Sequence, residues 1–150
     1  KKRFIHEVGS VCGANKVIIQ HGINDIIHPV GEELNVFRPM SDLPTVDELV
    51  DGIKYYLKET KNLGLKPYLG TLLPIYGWRT FAQFREELKN EFNNWILSNP
   101  NVIDFNMEVG EFIDNSYRFK DGCDSGDHLH PSKYAYELMG KLAARKIFLK

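Results

Sequence analysis

One short stretch of this chain carries residues whose types and spacing suit acid–base chemistry: Asp127-His128-Leu129-His130-Pro131. A neutral imidazole takes up a proton near pH 7 because its ordinary pKa lies close by. It does so in a fixed orientation when a carboxylate holds its other ring nitrogen. Asp127, three residues before His130 on a turn closed by Pro131, is placed to be that carboxylate. Asp, Gly and Ser are also ordinary turn formers, so the run from Asp121 to Pro131 equally suits a plain loop leading into a helix cap. A metal site would draw on His21, His28, Cys123, His128 and His130. Only His128 and His130 are close in sequence, and the spacing fits no usual zinc pattern. No metal or organic cofactor is expected.

The elements that must position this turn read as one α/β domain over residues 1–150. Lys16 to Gln20 is a β-branched run, the signature of a buried strand. It ends at His21-Gly22-Ile23-Asn24-Asp25, where Gly22 permits a sharp turn. Residues 26 to 44, with Pro29, Gly31, Pro39 and Pro44, form a long connection of the kind that is functional or mobile. Thr45 and Glu48 make a capping box for a helix that buries Leu49, Ile53, Tyr56 and Leu57. Pro67 to Leu73 reads as the next strand, and the loop from Pro74 to Trp78 follows it. Thr80 and Gln83 suggest a second capping box, opening a helix that carries Phe84, Leu88, Phe92, Trp95 and Ile96 on one side. Val102 to Phe105 is a third strand, then comes a loop-rich, partly helical stretch. Ser132 caps a last helix with Ala135, Leu138, Met139, Leu142, Ala143 and Ile147 on its apolar face. An opening helical segment from Lys1 to Val8 has no start signal of its own.

Strands alternating with helices imply βαβ crossovers and a parallel sheet. Ligands bind such sheets beyond the carboxyl ends of the strands. Asn24, the 74–79 loop and the Asp127–His130 turn would all lie there.

Composition narrows the classes. Hydrophobic residues make up 43% and charged residues 26%, with a formal net charge of -1, as in an ordinary soluble domain. Basic and acidic residues nearly balance, so no nucleic-acid partner is expected. No apolar run reaches the roughly 18 residues of a membrane span. Cys12 and Cys123 do not make a disulfide framework, and free thiols are the expected state.

Gly22-Ile23-Asn24-Asp25 after a strand, with Asp127-His128-Leu129-His130-Pro131 before the last helix, resembles the SGNH hydrolases, the GDSL esterase/lipase family. The likeness runs from about Lys16 to the last helix. It implies a flavodoxin-like three-layer αβα fold and a serine ester hydrolase working through an acyl-enzyme. By position, His130 matches the general base and Asp127 its orienting carboxylate. Asn24 matches the asparagine whose amide donates to the oxyanion, and Gly22 the glycine opening that block. His128 matches no catalytic position. The family's Gly-Asp-Ser nucleophile block is absent, as is the block whose glycine donates a second oxyanion amide. Ser10, Ser125 and Ser132 are poor substitutes. The chain therefore resembles the C-terminal portion of such a hydrolase, with the first strands missing, and the fragment alone is expected to be inactive.

Two consequences follow. The strand at 16–20 would be a bare edge, expected to be covered by self-association or by an N-terminal complement. Any signal peptide would precede Lys1, leaving secreted and cytoplasmic locations both open. A non-catalytic module derived from the same fold is the alternative. In that case Phe37, Tyr76, Trp78 and Tyr117 would offer a carbohydrate or acyl platform. Tyr76 and Trp78 are the candidate substrate contacts for a small-molecule, carbohydrate or lipid ester.

Overall fold

The computed structural model describes residues 3–30 and 38–148. A short helix α1 (Phe4–Gly9) precedes strand β1 (Lys16–Ile19) and helix α2 (Ile23–Ile27). Helix α3 (Val46–Asn62), strand β2 (Lys66–Gly70), helix α4 (Gln83–Leu97) and strand β3 (Val102–Ile103) follow. Helix α5 (Phe105–Val109), a hairpin β4 (Gly110–Ile113) with β5 (Ser116–Phe119), and helix α6 (Lys133–Phe148) complete it.

The three strands pair in parallel in the order β1-β2-β3, with Lys16 opposite Lys66 and Leu69 opposite Val102. Alternation along β2 divides the core. Leu69 joins Ile19, Leu49, Ile53, Phe92 and Ile96 on the face covered by α2, α3 and α4. Its neighbour Tyr68 joins Ile103, Phe105, Ala135 and Met139 on the face covered by α5 and α6. Successive strand residues point to opposite faces, so burial of both requires helices on each side. The architecture is thus α/β with a parallel three-stranded sheet, as the sequence indicates.

Helix α3 starts where its capping box directs. Thr45 Oγ1 accepts from the Glu48 amide at 3.3 Å, and the Glu48 carboxylate accepts from the Thr45 amide at 2.8 Å. Thr80 plays no such part. Helix α4 begins at Gln83 after Ala82, and the Thr80 hydroxyl donates instead to the Ile27 carbonyl at 2.8 Å. The apolar stripe expected on α4 is only half realised: Phe92 and Ile96 are buried, but Phe84 is 45% exposed. Arg85, Glu86, Lys89 and Asn93 occupy the buried face. They are held there by pairing and backbone bonds, which residue-type periodicity does not register.

Two strands are shorter than the sequence suggests. β2 ends at Gly70, because Leu72 gives its amide and carbonyl to the Asn93 side chain rather than to a neighbouring strand. β3 ends at Ile103, because Asp104 caps α5 by accepting from the Met107 amide. The hairpin is an addition to the reading of 106–120 as loop and helix. Its turn residues Asp114 and Asn115 both have positive φ, 49° and 63°, as a type I′ turn requires.

Among the described residues β1 is paired only on its β2 side. Ile18 on it stays 40% exposed.

Candidate active site

The Asp127–His130 turn is built by its own side chains. One oxygen of Asp127 accepts from the Leu129 amide at 3.0 Å, the His130 amide at 2.8 Å and the Ser125 hydroxyl at 3.2 Å. The other lies 2.6 Å from His130 Nδ1. An ionised carboxylate only accepts, so Nδ1 carries the proton and the lone pair of Nε2 is left as the basic site. The turn is closed by the Ser125 amide donating to the His130 carbonyl and the Ser132 amide donating to the Cys123 carbonyl. The backbone and ring bonds from His130 hold the Asp127 carboxyl well below the usual carboxylate range, so it stays ionised. The pair is solvent-facing, with the His130 side chain 63% exposed.

Asn24 arrives from the other side. Gly22 precedes α2 with φ of 124°, a backbone conformation that favours glycine, and an added Cβ would press Phe92 at 3.2 Å. The turn thus puts Asn24 in the first turn of α2 beyond the carboxyl end of β1. The other end of α2 is fastened. Buried Arg85 donates to the Ile26 and Pro29 carbonyls, and Thr80 donates to Ile27. A cation on these carbonyls satisfies groups that a helix terminus leaves open and complements its dipole. Asp25 pairs with Arg38 at 3.2 Å.

Asn24 and His130 meet on one cleft of about 210 Å³, which Gln20, Leu72 and Pro74 also line. A larger cavity of about 500 Å³ runs past His21, Gly22, Asp25 and Tyr56 but touches neither Asn24 nor His130, so the residues named from the sequence gather at the smaller one. An amide donor and an oriented imidazole on one cleft can stabilise an oxyanion and move a proton.

Tyr76 and Trp78 stand beside this cleft rather than in its lining. The Trp78 ring lies 6.5 Å from that of His130 at 87°, and Trp78 packs on the core cluster. Tyr76 is 38% exposed, with the Arg118 guanidinium 3.9 Å from its ring centre. Phe37 lies outside the described residues. Tyr117 is half-buried on β5.

The three serines weighed in the sequence have other partners. Ser125 donates to Asp127, Ser132 donates to the Gly122 carbonyl and caps α6 at Ala135, and Ser10 donates to Glu7 on exposed α1. Among the described residues no group of three or more His, Cys, Asp or Glu side chains is arranged to hold a metal ion. Cys12 is exposed and Cys123 buried, both as free thiols. No helix is long and apolar enough to cross a membrane among the described residues. What sequence reasoning missed is the fastening of this site. Gln20 gives its amide to the Thr71 carbonyl, Arg85 and Asn93 tie the cleft segments to α4, and Asp124 pairs with His128. None of these has a local sequence signature, apart from Asp124, whose spacing of four residues from His128 was available.

A search of curated protein sequences found no significant match. Solved structures resemble the chain more clearly. A GDSL-like lipase from Bacteroides thetaiotaomicron superposes with a TM-score of 0.71 at 19% identity, over 96% of this chain and 66% of that one. A lipolytic protein of the G-D-S-L family from Desulfitobacterium hafniense gives 0.68 at 24% identity, over 97% of this chain and 74% of that one. An acetyl-xylooligosaccharide esterase of Geobacillus gives 0.69 at 19% identity, over 99% of this chain and 66% of that one. At these identities the likeness speaks for the fold, and the chain spans only about two thirds of the length of these relatives. The model of the GDSL-like lipase/acylhydrolase family matches residues 2–143. With that match across nearly its whole length, the chain belongs to the GDSL-like lipase/acylhydrolase family.

Proposed function

We propose that this chain carries the base, the orienting carboxylate and one oxyanion donor of a serine carboxylic ester hydrolase. His130 Nε2 takes the proton of an attacking serine hydroxyl and returns it to the leaving alcohol. Asp127 fixes the ring and stabilises the imidazolium that forms between those steps. The Asn24 amide donates to the oxyanion of the tetrahedral intermediate. The observation that carries this reading is the shared cleft: His130, held at 2.6 Å by Asp127, faces the same space as Asn24, though they come from opposite ends of the chain.

The nucleophile in this reading comes from polypeptide outside Lys1–Lys150. The edge of β1 that is unpaired among the described residues supports that. A strand laid parallel along β1 would cover Ile18 and bring its own carboxyl end beside Gly22 and Asn24. A serine on that end would approach the cleft that His130 faces.

The test is hydrolysis of p-nitrophenyl acetate by the polypeptide of the complete reading frame. Activity is expected, with a large loss of kcat in His130→Ala. Asn24→Ala is expected to lower kcat by about 10²–10³, the usual effect of removing one oxyanion donor. Activity that both variants retain would rule out the assignment.

A further inference from the structure

The base turn holds a second pair built on the same plan as the first. Asp124 accepts from the Gly126 amide at 2.8 Å and the His128 amide at 3.0 Å through one oxygen, and its other oxygen lies 2.6 Å from His128 Nδ1. Asp127 repeats this three residues on, with the Leu129 and His130 amides and His130 Nδ1. Two aspartates thus fix two imidazoles within the seven residues from Asp124 to His130, and of the two histidines His130 alone lines the cleft. His128 has φ of 64°, a conformation unfavourable for a side-chain-bearing residue, so its place is enforced rather than a default.

The His128 ring lies on the bare backbone of Gly77. A Cβ at Gly77 would fall 2.8 Å from His128 Cγ and 3.0 Å from Cδ2. The next residue is Trp78, whose indole stands edge-on to the His130 imidazole. A closed ring of contacts results: Asp124 to His128, His128 to Gly77, Gly77 through the chain to Trp78, Trp78 to His130, and His130 through the turn back to Asp124.

We propose that Asp124 and His128 are positioning residues for the base. They seat the 74–79 loop against the turn and so hold Trp78 beside the His130 ring, fixing the ring on the side that Asp127 does not reach. The Asp127 bond fixes Nδ1 but leaves the imidazole free to tilt about that bond. The indole, held by His128, limits the tilt and keeps Nε2 facing the cleft. This inference rests on His130 being the base, as proposed above.

The experiment needs no turnover and uses this chain as it stands. With ¹⁵N-histidine and ¹⁵N-tryptophan labelling, the His130 Nδ1–H proton and the Trp78 indole N–H are followed by NMR in wild type, His128→Asn, Asp124→Asn and Gly77→Ala. Asparagine tolerates the positive φ at 128 while removing the ring. In each variant the Trp78 indole signal is expected to move. The Nδ1–H of His130 is expected to exchange with water about tenfold faster, equivalent to about 1.4 kcal/mol of lost restraint. Amide signals of α3 and α6 should stay in place, showing that the fold is intact. Unchanged Trp78 and His130 signals in His128→Asn would overturn the proposal. Asp127→Asn is the separate control for the underlying assignment. If it leaves the Nδ1–H signal intact, the orienting pair itself is wrong, whatever the His128 variants do.

Discussion

Asn93→Ala should loosen the cleft segment from the core, and the structure sets the size of the effect. The Asn93 side chain accepts from the Leu72 amide at 2.7 Å and donates to the Leu72 carbonyl at 2.9 Å. Both residues are buried, Leu72 at 1% and Asn93 at 4% exposure. Alanine would leave two buried backbone groups unpaired, each costing about 1–3 kcal/mol. Entry of solvent into the vacated space relieves part of this, so the expected loss is about 2–4 kcal/mol. Urea unfolding followed by far-UV circular dichroism measures it. With m of about 2 kcal/mol/M the midpoint should fall by about 1–2 M at unchanged m. Asn93→Asp should be no better at neutral pH, because a carboxylate keeps the acceptor for the amide but faces the Leu72 carbonyl with a second acceptor. Asn94→Ala, one residue on and exposed, is the control and should stay within about 0.5 kcal/mol of wild type. A loss below about 1 kcal/mol for Asn93→Ala, with m unchanged, would refute the claim that this side chain replaces a missing strand partner for Leu72.

Three further expectations follow from the packing and the charges. Phe92→Ala empties a fully buried position against Gly22 and Trp95 and should cost about 3–5 kcal/mol in the same unfolding assay. Lys89→Met should cost about 3–5 kcal/mol, because Lys89 lies 3.0 Å from Glu86 with both side chains at 0% exposure, and its removal strands a buried carboxylate. The folded pKa of Asp127 is depressed, so its stabilisation is present above the ordinary carboxylate value of 3.8 and is lost as pH falls below it. The stability gap between wild type and Asp127→Asn should therefore be full at pH 7 and shrink progressively below about pH 4, measured as urea midpoints across that range.

The parts of the fold that local chemistry encodes were legible. The Lys16–Ile19 run, the Thr45–Glu48 box and the apolar face of α6 each carry their signal within a few residues. So does the Asp127–His130 pair, whose bonds through the Asp127 carboxylate span at most three positions. Most failures of the reading involve distant partners. Thr80 looks like a cap until the Ile27 carbonyl competes for its hydroxyl. Strand propensity runs on to Leu73, but Asn93 diverts the backbone at Leu72. Arg85, Glu86 and Lys89 lie outside the apolar set expected for α4, and the α2 carbonyls, the Tyr117 amide and a mutual ion pair make their burial tolerable. The hairpin at 110–119 was within reach, since Asp114-Asn115 is a turn dipeptide that tolerates positive φ. Asn24 and His130 could each be named from the sequence, but their meeting on one cleft depends on the sheet order that brings β1 beside β2.

The most direct test of the central claim is to label the polypeptide of the complete reading frame with a fluorophosphonate and locate the adduct by peptide mass spectrometry. The account predicts a single modified serine outside Lys1–Lys150, with labelling lost in His130→Ala. An adduct on Ser10, Ser125 or Ser132, or labelling that persists in His130→Ala, would contradict it.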